Sequence, residues 1–188
     1  MWWLVFPAVL LAFVIFIVIR AFLFKPYDSQ APKTQEFEID EENIVNRFSK
    51  IISCKTISNR DLSKVDIGEF EKVQDLIKKF YPNIFKICEF EKVLQTGLLF
   101  KWPGEKSDEP VVLMAHYDVV PANEQQWEKP AFDGIIENNE LWGRGTLDTK
   151  CTFVAILEAS EQLIKTGFKP KNDIYLSFAG DEEVAGPT

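Results

Sequence analysis

Val111-Val112-Leu113-Met114-Ala115-His116-Tyr117-Asp118-Val119-Val120-Pro121 is the stretch on which the reading of this chain turns. Its opening apolar run has the length and composition of a buried strand. His116, the only histidine among the 188 residues, stands at the strand's exit, with Asp118 two residues on. In extended backbone, residues i and i+2 point to the same side. Asp118 can therefore reach the imidazole, fix its tautomer and raise its basicity, as suits a metal ligand with its own orienting partner. Taken alone, the triplet reads equally well as a hydrogen-bonded histidine at a sheet edge.

Downstream, Lys150 to Thr166 has helical periodicity through Phe153, Val154, Ile156, Leu157, Leu163 and Ile164, with Gly167 as a C-cap. Asp173 to Ala179 reads as a second buried strand, through Ile174-Tyr175-Leu176-Ser177-Phe178. Strand, helix and strand in that order predict a crossover unit in a mostly parallel sheet, hence an α/β fold. Upstream, Asp40-Glu41-Glu42 opens a helix with Ile44, Val45, Phe48, Ile51 and Ile52 on one face. A second helix carries Phe70, Val73, Leu76, Ile77 and Phe80 and ends at Tyr81-Pro82-Asn83. Strands are expected over 84–90 and 97–102, a charged loop over 103–110, and a hairpin around Asn138-Asn139.

Open α/β sheets bind ligands beyond the carboxyl ends of their strands. His116 and Asp118 leave one such end, Asp181-Glu182-Glu183 leaves another, and Asp148 precedes the Lys150 helix. So many like charges at one rim repel unless a cation neutralises them. Nitrogen with carboxylate ligation suits zinc, with cobalt or manganese as alternatives. Each piece also has an ordinary structural reading. Asp148 could be a helix N-cap, Asp181-Glu182-Glu183 first-turn acids, and Gly143-Arg144-Gly145 a plain turn. A phosphate loop is excluded, because the Walker glycine-lysine pair is missing and Asp148 would face the phosphate. Trp127 and Phe132 read as loop anchors, and Lys150 as a partner for a nearby carboxylate.

The combination is more specific than any part. His-x-Asp-Val-Val-Pro at 116–121 is followed by Trp127, Pro130, Phe132 and Gly134. Then come Trp142-Gly143-Arg144-Gly145-Thr146-Leu147-Asp148-Thr149-Lys150 and Asp181-Glu182-Glu183. In order and spacing this resembles the di-zinc metallopeptidases that include aminoacylases, carboxypeptidase S, glutamate carboxypeptidase and succinyl-diaminopimelate desuccinylase. The likeness covers roughly residues 40 to 188 and is greatest to the carboxypeptidase S and N-acyl amino acid hydrolase branch. It implies part of a three-layer zinc-peptidase catalytic domain over 39–188, with two Zn2+ ions in a complete site. His116 would bind one metal, Asp148 bridge the two, and Glu183 ligate the other. Asp118 would hold His116, and Glu182 would be the general base. The resemblance also implies a cis peptide bond after Asp148. Substrates would be short peptides or N-acyl amino acids.

The family pattern further calls for a second histidine ligand, another carboxylate and a lid or dimerisation domain. The chain is therefore expected to be the N-terminal part of a larger protein or a truncated product, inactive alone, with a homodimer only where that domain is present. The competing reading is a catalytically dead, membrane-anchored binding protein.

The N-terminus carries no charge from Trp2 to Ile19, and Arg20 and Lys25-Pro26 close the apolar run. About 20 apolar residues cross a bilayer as a helix, and Trp2 and Trp3 sit where an interfacial belt would be. The length of this run and the missing basic n-region favour an uncleaved single-pass transmembrane anchor over 1–25 rather than a cleaved signal peptide. A linker over 26–38 follows. Arg20 and Lys25 are too few to fix on which side of the membrane the domain lies. With 21 Lys and Arg against 29 Asp and Glu, net charge -8, the chain lacks the basic excess that nucleic acid requires. Cys54, Cys88 and Cys151 show no CxxC spacing and read as small packing residues.

Overall fold

Asp40 starts the first helix of the domain by accepting the Asn43 backbone N–H at 3.2 Å, and Glu41 and Glu42 follow at the positive end of its dipole. The structure, a computed structural model, describes residues 2–25 and 38–188. They form two units, 1–39 and 40–188. The expected linker falls, but for Glu38, outside the described residues. In the first unit, helix α1 (Val5–Phe22) has the length and hydropathy of a membrane span or a signal sequence.

In the second unit α2 (Glu41–Ile52) buries Ile51 and Ile52. Helix α3 (Ile67–Phe80), capped by Asp66, buries Phe70, Val73 and Ile77. A strand was expected over 84–90, but α4 (Pro82–Ile87) takes most of that range. Proline suits the first helical position, where its missing N–H has no partner to lose. The orphan N–H groups of Asn83 and Ile84 donate to the buried Glu161 carboxylate at 3.1 and 3.0 Å. This acid lies far along the chain, and without it the apolar pattern of Ile84 to Phe90 reads as extended.

Strands β1 (Glu89–Val93), β2 (Gly97–Trp102), β3 (Lys106–His116) and β6 (Asn172–Ala179) form one sheet in the order β1-β2-β6-β3. The sheet is mixed, not mostly parallel: β1–β2 and β2–β6 run antiparallel, and only β3–β6 is parallel. The short turn between β1 and β2 permits only a hairpin, whereas helix α5 (Lys150–Lys165) supplies the crossover that parallel β3 and β6 require. A hairpin of β4 (Ile135–Glu137) and β5 (Glu140–Trp142) turns through Asn138 and Asn139, both at positive φ.

Leu98, Phe100, Leu176 and Phe178 face the helices in a single core with Phe70, Ile77, Ile84, Phe153 and Leu157. Among the described residues the helices thus cover one face of the sheet, which is two layers of the expected three-layer domain. Strand β3 is not buried. It is an edge strand whose Met114 is 70% exposed and whose Val111 and Val112 are half exposed. An apolar run of strand length reports the wish to be covered, not what covers it. The expected loop over 103–110 is partly strand too: Lys106 pairs with Asn172 before a register shift brings Val111 opposite Ile174.

Under the strand exit, Phe153 stacks on Tyr117 with centroids 5.3 Å apart and meets Phe178 edge-on at 4.7 Å. All three rings are buried. Phe153→Ala is expected to lower unfolding free energy by about 3–5 kcal/mol, as read from denaturant midpoints at unchanged slope.

Candidate metal centre

Parallel pairing places His116 opposite Ala179, with Tyr117 N–H donating to Ala179 O at 3.0 Å. The two strands therefore end side by side. Beyond β6, Glu182–Val184 forms a single 3-10 turn. Just before α5, the Asp148–Thr149 peptide is cis. Thr149, not Asp148, is the N-cap position, so the capping alternative for Asp148 falls away. Instead Thr149 Oγ1 lies 3.3 Å from His116 N and 3.2 Å from His116 O, fastening the loop to the strand exit.

The sequence-derived residues meet here. His116 is 7% exposed and Asp118 is fully buried. His116 Nδ1 lies 3.1 Å from the Asp118 carbonyl and 3.2 Å from Asp118 Oδ1. Nδ1 thus faces the two Asp118 acceptors, and Nε2 faces outward. Nε2 lies 3.2 Å from Asp148 Oδ1 and 3.6 Å from Glu182 Oε2. Donor atoms of His116, Asp148 and Glu183 all lie within 4.8 Å of one another. Asp118 also accepts the backbone N–H of Glu182 at 3.2 Å and of Glu183 at 3.1 Å.

Electrostatics record the crowding. Burial raises the Glu183 carboxyl above its usual range, and the charges of Asp148, Asp118 and Glu182 raise it further, while His116 opposes them. Burial pulls the His116 imidazolium down, but Asp118, Asp148 and Glu182 outweigh it, and the net shift is upward. An outward Nε2 among carboxylates, when unprotonated, is one of an array of acceptors without a donor. A proton on Nε2 or a cation satisfies it. One imidazole and two carboxylates form a donor set that fits zinc.

Several supporting residues carried no sequence signal. Thr149 had none beyond its place after Asp148. Thr56 Oγ1 donates to Tyr117 O at 2.5 Å, and Thr56 O accepts Val119 N–H at 2.9 Å. Lys150 pairs with no carboxylate among the described residues; its Nζ donates to two backbone carbonyls. Phe132 is buried, with Trp127 packed against the same small cluster, as loop anchors should be. Arg144 lies over the Trp127 ring, 5.2 Å from its centroid.

This α/β unit gathers one imidazole and several carboxylates at the carboxyl rim of its sheet, a donor set able to hold a metal. Over residues 112–187 the chain matches the description of peptidase family M20/M25/M40. It is 43% identical over 153 residues to carboxypeptidase S of Saccharomyces cerevisiae, covering 76% of this chain and 27% of that protein. It is 37% identical over 138 residues to the N-fatty-acyl-amino acid synthase/hydrolase of Mus musculus, covering 72% and 27%. The chain thus spans less than a third of the length of these relatives. Among solved structures, human carnosine dipeptidase 1 shares the fold with a TM-score of 0.63 at 15% identity, over 78% of this chain and 33% of that one. The M20 family metallo-carboxypeptidase Sso-CP2 of Sulfolobus solfataricus has a TM-score of 0.58 at 20% identity, over 79% and 32%.

The single histidine makes a clean probe. In the metal-free chain its ring protons, followed by NMR, are expected to titrate above the ordinary 6.5. Because the folded value is raised, the protonated ring stabilises the metal-free fold fully below about 6.5, and that contribution disappears as pH rises through the folded value. Zn2+ should abolish the titration over this range, and Asp118→Asn should shift it downward.

Proposed function

We propose that this chain is the metal-binding, N-terminal portion of a membrane-anchored amide hydrolase acting on short peptides or N-acyl amino acids. The observation that carries this reading is the outward Nε2 of His116, whose ring is held by buried Asp118 and faces Asp148, Glu182 and Glu183. The printed activities of its relatives, carboxypeptidase and N-fatty-acyl-amino acid hydrolase, give the substrate class.

In this reading His116, Asp148 and Glu183 would hold zinc, and Co2+ or Mn2+ could substitute. Bound zinc supplies polarisation of the scissile carbonyl and acidification of water. Glu182 acts as the general base. Its side chain is 60% exposed, with Oε2 only 3.6 Å from His116 Nε2, so it stands beside the ligands and remains open to substrate. It takes a proton from the attacking water and delivers it to the nitrogen as the C–N bond breaks. Asp118 keeps His116 in the Nδ1–H tautomer throughout.

The division of labour along the chain is an anchor over 1–25, a linker over 26–38 and the catalytic portion over 39–188. Helix α1 supports the anchor through its length and hydropathy. A homodimer would require a further domain.

The test is hydrolysis of a panel of dipeptides and N-acyl amino acids by the natively expressed protein, before and after chelation. Activity abolished by chelation and restored by Zn2+ is the expected result; activity that survives complete metal removal defeats the reading. Glu182→Gln should lower kcat by about 10²–10⁴-fold at unchanged zinc content, measured by atomic absorption.

A further inference from the structure

Lys150 is fully buried, and the ligand set described above does not use it. Its Nζ donates to Ile51 O at 3.1 Å and to Cys54 O at 2.8 Å, closing the C-terminal end of α2. Carbonyls at a helix C-terminus lack intrahelical partners and sit at the negative end of the dipole. The backbone that Lys150 grips leads directly into Thr56–Ser58, which holds the exit of β3. Thr56 Oγ1 donates to Tyr117 O, Val119 N–H donates to Thr56 O, and Ser58 N–H donates to Val119 O at 3.3 Å. At its other end Lys150 is two residues from Asp148, and its own N–H donates to Gly145 O at 3.0 Å.

The stem has a fitted path. Gly145 has φ +87°, and a Cβ there would come within 2.8 Å of Val119 Cγ1 and 3.2 Å of Lys150 Cδ. Only glycine combines that φ with room for the lysine methylenes between the Asp148 loop and Val119.

We infer that Lys150 is a positioning residue: a strut that fixes the distance between the Asp148 loop and the His116–Asp118 exit by holding the Ile51–Cys54 backbone. This rests on the metal-site reading above. Two fasteners would then join the ligand-bearing segments. Thr149 works directly on His116, and Lys150 works through α2 and Thr56 on the far side of the exit. A ligand cluster gathered from separate segments needs bracing on more than one side, and Lys150 adds a path to the packing of Phe153 on Tyr117 and the Thr149 bond to His116.

The test uses Lys150→Met in the full chain, held in detergent, with two readouts. The first is amide hydrogen exchange without metal. Val119 N–H, bonded to Thr56, should exchange roughly tenfold faster or more, while Tyr117 N–H, bonded to Ala179 in β6, keeps its rate. General destabilisation would accelerate both. The second is Co2+ binding followed by visible absorption. Affinity should fall roughly 10–100-fold, the range for partners that orient ligands, with an altered spectrum. Glu158→Gln, which weakens the remote Arg47–Glu158 pair, should leave the spectrum unchanged. Where Lys150→Met does not fold, Thr56→Val cuts the same chain of contacts at its far end and should reproduce the loss of affinity. Unchanged Val119 exchange and Co2+ affinity, or equal acceleration of both amides, overturns the strut while leaving the metal site standing. A wild-type chain that binds no Co2+ overturns the metal-site reading and the strut with it.

Discussion

Asp118 sits at a position with no solvent access, with the His116 ring and two backbone N–H groups around its carboxylate. Removing a carboxylate from water costs several kcal/mol unless donors replace the lost hydration. Here the donors come from two places: the ring of His116 on its own strand exit, and the backbone of Glu182 and Glu183 beyond β6. One buried anion therefore ties together the ends of two strands. It also fixes which nitrogen of His116 faces outward and where the two glutamates begin their turn. Hydrogen bonds to charged groups are stronger than neutral ones, so this joint is stiff where the site needs stiffness.

The fold prepares the position of that joint. Parallel pairing sets His116 opposite Ala179, so both chains leave the sheet at the same rim. The crossover helix must return between them, and its N-terminus delivers Asp148 to that rim. Below, Tyr117 alternates to the opposite side from His116 and Asp118 and inserts into the ring cluster of Phe70, Phe153 and Phe178. The same alternation thus anchors the strand exit in the core and turns its polar side chains to the rim. Core packing and ligand geometry are two consequences of one register.

Much of this was legible in the residues. The i, i+2 relation of His116 and Asp118 follows from extended backbone, and the crossover from two apolar runs around a periodic helix. The amphipathic faces of α2 and α3 could be read directly. What escaped was set by distant partners. Helix α4 depends on Glu161, 78 residues beyond Asn83. The exposure of β3 depends on its place in the strand order, which no local pattern encodes. The mixed character of the sheet follows from the tight turn between β1 and β2, whose Leu94 adopts positive φ without a glycine to announce it. Lys150 was expected to seek an acid. A charged residue's sequence neighbours do not reveal that its partners are the carbonyls of a helix end nearly a hundred residues earlier.

The cluster is asymmetric in a way that separates holding from reacting. His116 and Asp118 lie on its buried side, while Asp148 and Glu182 have side chains 74% and 60% exposed. Buried groups are confined by packing and by hydrogen bonds they cannot exchange with water. Exposed carboxylates retain rotamer freedom and can adjust to an incoming cation or substrate. A cation entering from solvent would meet the adaptable acids first and complete its shell on the fixed imidazole. Charge crowding among the acids, visible in the raised Glu183 carboxyl, supplies the attraction. The buried histidine and its buried aspartate supply the geometry. A cation fits this arrangement better than a proton does, because a proton on Nε2 satisfies one acceptor and leaves the remaining carboxylates facing one another.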